Sequence, residues 1–332
     1  MHLDYACPDA AAGNAFVVSV AGQSVTATVA GTGLDWSNYR RVRLGRLRVP
    51  AGQHRLTVRP DGPVRHALMD LRMIALTAPG AEVPGEQVPA AQAPSWETIE
   101  QLTRDLPPGP VEYQRIPEIW RVSVAAGRRN DADELRRVID ISLPKGDEPL
   151  RDWQAVVIGG GVINGISDLG IYPGPRIVEI IGEDEQLQQR WRRAIELSAV
   201  MADDETVPPP TRYDALRMLG VLPWDEAGEH LVRYLSHENA ELQMGAVSGL
   251  VDIDSPRATA ALIGAMAKLT EANRKLALDG LLRDAARVTA LLDALEAKRV
   301  DRAVLAPEQV KRLREHENAP LRERAHQVLG GG

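Results

Sequence analysis

The segment HENAELQMGAVSGL at residues 237–250 decides the fold, because it recurs as HENAPLRERAHQVL at residues 316–329. A second echo has a period of 31 residues, in which Ala215, Ala246 and Ala277 occupy equivalent positions. Repeats of this length predict units of two short amphipathic helices, neither of which covers its apolar stripe except against its neighbours. We therefore expect a stacked array of helices over the C-terminal part of the chain.

Small residues recur in the first helix of each predicted pair. They let helix axes approach toward the low end of the usual range of about 8–10 Å, so bulky substitutions there should be costly. In this alignment the last unit stops at residue 329 after only its first helix, and the C-terminus is expected to interrupt the array. The small residues are Ala215, Ala246, Ala277, Ala325, Gly249 and Gly280.

Alternation with a period of two marks the first part of the chain, where Phe16, Val18 and Val20 alternate with Val17 and Ser19. This is strand spacing. It predicts a partial antiparallel β-sandwich over residues 1–78. Because the first strand begins almost at the first residue, we expect some strands of the second sheet to be missing and the chain to start inside a domain. The predicted strand segments are 3–6, 14–20, 24–29, 39–49, 54–59 and 67–76.

A proline- and alanine-rich stretch separates the two parts. Residues 79–95 contain four prolines and almost no large apolar side chain. Such a segment cannot bury enough surface to fold by itself, which predicts a semi-rigid linker. Residues 96–332 then form the helical repeat domain.

Charge and cysteine content exclude several classes of protein. The formal net charge is −7, which is the sum of +4 for residues 1–77 and −11 for the rest of the chain. Attraction of the whole molecule to nucleic acid is therefore not expected. Cys7, the single cysteine, excludes an internal disulfide and a multi-cysteine metal cluster. The sequence contains no run of about 18 apolar residues, so no membrane span is predicted. Asp4 and Pro8 interrupt what would be a secretory signal.

The repeats resemble HEAT repeats, closely over residues 207–329 and more loosely over 96–206. The first segment resembles the jelly-roll carbohydrate-binding-module superfamily in its closing strands. The residues that carry this second resemblance are Thr32-Gly33, Trp36, Tyr39, Val49-Pro50-Ala51-Gly52, His54, Leu56 and Met69-Asp70.

Together the two parts are similar to an internal region of large secreted planctomycete and verrucomicrobial proteins, which add a c-type cytochrome domain. That resemblance implies an extracytoplasmic location, periplasmic or secreted, and a longer parent chain. The haem-attachment motif is absent, since Pro8 follows Cys7. The resemblance therefore implies no cofactor for this chain.

The segment VVIGGGVING at residues 156–165 offers an alternative reading as a strand entering the glycine-rich turn of a dinucleotide fold, with Glu179 as the ribose acid. Asn164 stands where the fingerprint needs glycine, and Pro173 and Pro175 would cut the following helix. We favour a tightly packed helix of the array. A nucleotide-dependent enzyme centred on Gly159–Gly165 stays as the alternative.

Aromatic and arginine residues of the first segment suggest a glycan site. Trp36 and Tyr39 offer ring faces for a sugar, with Asp70 nearby. Leu68 stands where sugar-binding relatives often carry Asn, which favours a structural role for the loop. An outward arginine face could meet an acidic or sulfated polysaccharide, although a solvated strand face is the commoner arrangement. Its members are Arg41, Arg43, Arg46 and Arg48.

Histidines and acidic runs are better explained by structure than by metal binding. His237 and His316 fall at equivalent repeat positions, so repetition accounts for them. The runs 183–185 and 203–205 lack the alternating spacing of a calcium loop and are expected on loops or at helix starts. No metal site and no catalytic residue is predicted.

The sequence as a whole predicts a non-catalytic scaffold. The concave face of the array, residues 115–329, is expected to bind a partner protein or a neighbouring domain of a longer chain. The alternative is a glycan-binding module on a helical spacer.

Overall fold

In the computed structural model the chain forms two compact units, Met1–Gln92 and Ala93–Gly332, which are described separately. Of the predicted linker at 79–95, only Pro94 and Ser95 lie within the described residues, and Ser95 already begins a helix. The structure describes residues 1–8, 11–32, 36, 38–45, 47, 49–62, 64, 67–76 and 94–330.

Six short strands form two three-stranded antiparallel sheets in the N-terminal unit, with strand orders β4-β1-β6 and β3-β2-β5. Each predicted strand segment overlaps one of them, although the segment 39–49 yields only four strand residues. The strands are β1 His2–Ala6, β2 Ala15–Val20, β3 Gln23–Thr28, β4 Arg40–Arg43, β5 Thr57–Pro60 and β6 Asp70–Ala75.

The two sheets of this unit share one core. Leu3 and Tyr5 of β1 meet Phe16 and Val18 of β2 in a single buried cluster. Because side chains alternate across a strand, the intervening residues of β1 are left for the opposite face of its sheet. That opposite face carries the polar residues described below.

The Ala93–Gly332 unit is helical throughout its described length. One helix, Asp152–Asp168, changes winding along its course: α4 and α5 flank a π-helical stretch at Val156–Ile163. The α-helices are α1 Ser95–Thr103, α2 Pro110–Arg129, α3 Ala132–Ser142, α4 Asp152–Ala155, α5 Asn164–Asp168, α6 Pro173–Ile181, α7 Glu185–Asp203, α8 Pro209–Leu219, α9 Trp224–Tyr234, α10 Ala240–Asp252, α11 Pro256–Ala265, α12 Glu271–Leu281, α13 Ala285–Glu296, α14 Pro307–Arg314 and α15 Ala319–Leu329.

Helices α8 to α15 form consecutive pairs that lie in two rows. In the inner row α8 contacts α10 and α10 contacts α12, and in the outer row α9, α11, α13 and α15 contact one another in sequence. Ala215, Ala246 and Ala277 are completely buried at equivalent positions of the inner helices. The period of 31 residues is therefore the spacing of successive inner helices.

A repeated side-chain cap joins each pair to the one before it. Arg212, Gln243 and Arg274, again 31 residues apart, each donate to a carbonyl at the C-terminal end of the preceding helix, at N···O distances of 2.8, 3.0 and 3.0 Å. Those carbonyls have no partner within their own helix, so the cap satisfies groups that would otherwise be orphaned. Arginine and glutamine at this position resemble ordinary surface residues in the sequence, so the cap could not be predicted from it.

The two HENA segments share a local motif and not a place in the rows. In both, the histidine Nδ1 accepts a hydrogen bond from the backbone N–H of the asparagine, Asn239 or Asn318, whose side chain caps the next helix. That helix is α10 of the inner row in one case and α15 of the outer row, paired with α14, in the other. The prediction that residue 329 ends only the first helix of a unit is therefore wrong.

Close helix packing occurs at the glycines where it was predicted. A Cβ atom on Gly280 would lie 2.3 Å from Cγ2 of Val251, and one on Gly249 would lie 3.0 Å from the carbonyl oxygen of Leu216. Neither position has space for a side chain.

Candidate functional site

A buried carboxylate lies at the centre of the polar face of sheet β4-β1-β6. Asp4 of the central strand accepts from Arg41 of β4 at 3.2 Å and from Arg72 of β6 at 2.9 Å, and its side chain is only 5% exposed. The register of β1 against β6 shifts between Asp4 and Tyr5 and skips Arg72. A bulge of this kind re-aims a side chain, and here both guanidinium groups converge on one oxygen, Oδ2.

Two of the three residues predicted to bind glycan meet beside this carboxylate. The Tyr39 hydroxyl donates to Oδ2 of Asp70 at 2.5 Å, and the Arg72 guanidinium lies 4.4 Å from the centre of the Tyr39 ring. Trp36, 38% exposed, has no hydrogen bond or ring contact with either of them in the described part of the chain. The structure therefore joins Tyr39 and Asp70 but leaves Trp36 apart.

The other residues of the predicted glycan face divide into three groups. Leu68 packs against the core. Arg43 is exposed at the end of β4, opposite His2 of β1. Arg46 and Arg48 lie outside the described residues. We call Asp4, Tyr39, Arg41, Asp70 and Arg72 the β1 cluster.

The glycine-rich segment at 156–165 is helical and buried, so its reading as a strand and turn is wrong. Its glycines meet backbone on two sides. A Cβ on Gly165 would lie 2.5 Å from the carbonyl oxygen of Val124 in α2, and one on Gly159 would lie 2.1 Å from that of Asp214 in α8. Glycine is needed here for helix packing, and the predicted strand that would hold a dinucleotide is replaced by helix.

A carboxyl group faces the middle of this helix. Asp214 is 7% exposed, and a Cβ on Gly160 would lie 2.4 Å from its Oδ1. Burial raises the pKa of the Asp214 carboxyl well above its usual range. The positive charge of Arg217 lowers this pKa in part, and the negative charge of Glu241 raises it further. The neutral acid is thus the form that fits between the helices.

This burial makes stability depend on pH. The folded pKa of Asp214 lies above the unfolded one, so its contribution is complete below about pH 4 and is lost as pH rises toward the folded pKa, by about 1.4 kcal/mol per pH unit. Asp214→Asn removes that loss. We expect the variant to gain stability relative to the wild type between pH 4 and pH 8 in urea titrations, and a pH-independent difference would contradict the assignment.

A second buried charge joins three parts of the helical unit. Asp252 at the end of α10 is completely buried and pairs with Arg217 at 2.8 Å and with Arg283 at 3.1 Å. Its Oδ1 also accepts from the Ser167 hydroxyl of α5, and Arg217 donates to Asn164 Oδ1 at 2.6 Å. We call these residues the Asp252 network. It is a structural clamp, since all of its charges are internally paired.

A pocket of about 220 Å³ at the end of α7 is lined in part by two members of an aromatic stack, Tyr234 and His237. His230, Tyr234 and His237 stack with ring-centroid distances of 5.9 and 5.6 Å. The Tyr234 hydroxyl donates to Asp203 Oδ1 at 2.6 Å, and His230 Nε2 lies 3.0 Å from the same oxygen. Burial lowers the pKa of His230 and raises that of Tyr234. The Tyr234 hydroxyl also lies 2.9 Å from the carbonyl oxygen of Ala202, so Tyr234 joins α9 to the C-terminal end of α7.

A groove of about 620 Å³ lies between α3 and α7, and its arginine side chains bind groups of the same unit. Arg136 donates to the carbonyls of Ile180 and Ile181 and to Asp184, while Arg190 pairs with Asp140. Asp184 also caps α7, as expected for an acidic run at a helix start. The charges of this groove hold helices together.

Comparison with known proteins adds no family. No protein-family model matches the chain, and no curated protein matches it. Among the described residues, no cluster of three or more His, Cys, Asp or Glu side chains has the arrangement of a metal site. No single described helix is long and apolar enough to cross a membrane; Asp152–Asp168 and Pro173–Ile181 meet that test only together, with a bend of 109°.

Proposed function

We propose that residues 96–330 form a HEAT-type α-solenoid that acts as a non-catalytic scaffold for a partner protein or for a neighbouring domain of a longer chain. The observation that carries the proposal is the repeated cap at Arg212, Gln243 and Arg274, which links successive helix pairs in one register. Stacked pairs of this kind present long surfaces whose spacing is fixed by the repeat.

The outer row is the surface on which we place the partner. Every residue of α10 except Ala240, Glu241 and Met244 is buried, so this helix of the inner row offers little contact area. Outer helices keep exposed residues, among them Val232 of α9 and Gly264 of α11. We therefore propose the exposed faces of α9, α11 and α13, which lie within residues 115–329, as the partner surface.

Site-specific photo-cross-linking tests this placement. A photoreactive amino acid is introduced at Val232 or Gly264 of the full chain, and at Val178 of α6, which is 69% exposed, as the matched control. We expect adducts of one defined mass at the two outer-row positions and none at Val178. Equal adducts at all three positions, or none at the outer row, would refute the placement.

A second candidate function belongs to the N-terminal unit, which we propose to be a jelly-roll-type glycan-binding module. The hydrogen bond between Tyr39 and Asp70 supports it, since two of the three predicted residues come together on one sheet. Trp36→Ala tests the part assigned to the loop. Loss of retention on an immobilised polysaccharide is the expected result, and unchanged retention would remove Trp36 from the site.

A further inference from the structure

We propose that the polar face of sheet β4-β1-β6 binds oxyanions carried by a polysaccharide, carboxylate or sulfate, through Arg41, Arg43 and Arg72. The proposal deepens the glycan-binding candidate and rests on it. In this proposal the ligand is negatively charged. Tyr39 and Asp70 then position Arg72 and do not contact the sugar themselves.

Two guanidinium groups surround one buried acid on this face. Arg41 and Arg72 come from the two strands that flank β1, and both donate to Oδ2 of Asp4. Asp4 is nearly inaccessible, whereas the Arg72 side chain is 56% exposed and that of Arg41 is 24% exposed. The acid therefore fixes the two cations while leaving part of each on the surface. Planar guanidinium groups held in this way suit the bidentate recognition of an oxyanion.

The Arg72 side chain is restricted by two contacts, one with the Tyr39 ring and one with Asp4. Its guanidinium lies over the Tyr39 ring, and the Tyr39 hydroxyl is in turn fixed by Asp70. Contacts on the ring face and at Asp4 restrict the side chain before any ligand arrives, which lowers the entropy that binding costs. The same contact covers one face of the Tyr39 ring, so that face cannot stack on a neutral sugar or a nucleotide base.

Arg43 is the third cation on this face of the sheet. Arg43 lies two residues after Arg41 on β4, so its side chain lies on the same face, and it is exposed opposite His2. It forms no ion pair with the residues that the structure describes. With Arg41 on the same strand and Arg72 on β6, it gives this face of the sheet three arginines, in a segment whose net charge is +4 over residues 1–77.

The experiment measures retention of the full chain on four immobilised polymers. Dextran sulfate and polygalacturonate supply sulfate and carboxylate, dextran is the neutral control, and a single-stranded DNA oligonucleotide represents a phosphate polymer. We expect retention by dextran sulfate, polygalacturonate or both, weakening as salt rises, and no retention by dextran. Binding to only one of the two charged glycans identifies which oxyanion is recognised.

Variants separate a built site from general charge. Arg43→Gln, which breaks no ion pair among described residues, and Arg72→Gln are each expected to weaken binding about fivefold or more. Arg72→Lys keeps the charge but loses the planar group, and it should behave like Arg72→Gln. The matched control is Arg59→Gln on β5 of the other sheet, where a change below about twofold is expected.

Four results would overturn the proposal. An equal effect of Arg59→Gln would reduce it to net charge, and equally tight binding of DNA through the same residues would show recognition of any polyanion. Retention by dextran alone would leave the glycan-binding candidate standing and remove the oxyanion. Retention by none of the three polysaccharides would remove both.

Discussion

Gly165→Ala should destabilise the helical unit by at least about 3 kcal/mol, although alanine is intrinsically better than glycine in a helix by about 1 kcal/mol. The added methyl group would lie 2.5 Å from the Val124 carbonyl oxygen, 2.7 Å from the Arg128 nitrogen and 2.7 Å from the Gly127 Cα. All three are backbone atoms of α2, so the strain can be relieved only if the two helices move apart. Urea unfolding followed by circular dichroism measures the loss.

The control is the same substitution at a glycine with free space. A Cβ on Gly264 of α11 would have no atom within 4 Å. Gly264→Ala is therefore expected to raise stability by about 0.5–1 kcal/mol from helix propensity alone. If Gly165→Ala raised stability in the same way, the close contact between α2 and the glycine-rich helix would be wrong.

Asp252→Ala should cost about 3–5 kcal/mol, because it leaves two buried guanidinium groups without their counterion. The side chains of Arg217 and Arg283 are 6% and 9% exposed, so water cannot replace the lost carboxylate. The Ser167 hydroxyl would lose its acceptor as well. The free energy of unfolding of variant and wild type, measured at the same pH and salt, gives the difference.

A surface ion pair provides the comparison for this substitution. Arg257 and Asp225 pair across α11 and α9, but their side chains are 60% and 84% exposed. Asp225→Ala should cost less than about 1 kcal/mol. The Asp252 network would lose its assigned role as a clamp if Asp252→Ala were no more damaging than Asp225→Ala.

Local patterns were enough to predict the strands of the N-terminal unit and the inner helices of the helical unit. The period of two located the six strands because each sheet has one face on a core, as with Phe16 and Val18. The period of 31 located the inner helices because Ala215, Ala246 and Ala277 must all fit the same close contact. These signals were readable because each reports how a residue packs within its own element.

Sequence patterns did not predict which distant elements pack against each other. The HENA motif was assigned to one row of helices, yet the motif specifies only a helix start, which both rows need. The glycines at 159–165 permitted two readings because glycine serves a phosphate turn and a helix crossing equally well. Which one applies depends on Val124 and Asp214, which lie far away in the sequence.

The β1 cluster shows the same limit at a candidate site. Tyr39 and Asp70 were selected from the sequence, and the structure brings them together. Asp4, which organises the cluster, gave no signal, since a single acid in a strand is normally taken for a solvent-facing residue. Its position became informative only when Arg41 and Arg72 were placed on either side by strand pairing.

The contact between Ser167 and Arg283 joins residues 116 positions apart, and it has a consequence for the way the helical unit folds. In an array whose units touch only their neighbours, folding can begin at any pair and spread, and stability grows with each added unit. Here the helix at 164–168 is also fastened to the far end of α12, so a loop of more than a hundred residues must close before that bond forms. Partly assembled intermediates therefore lack this hydrogen bond. The unit should assemble and come apart as a whole, more slowly than its short local helices alone would allow.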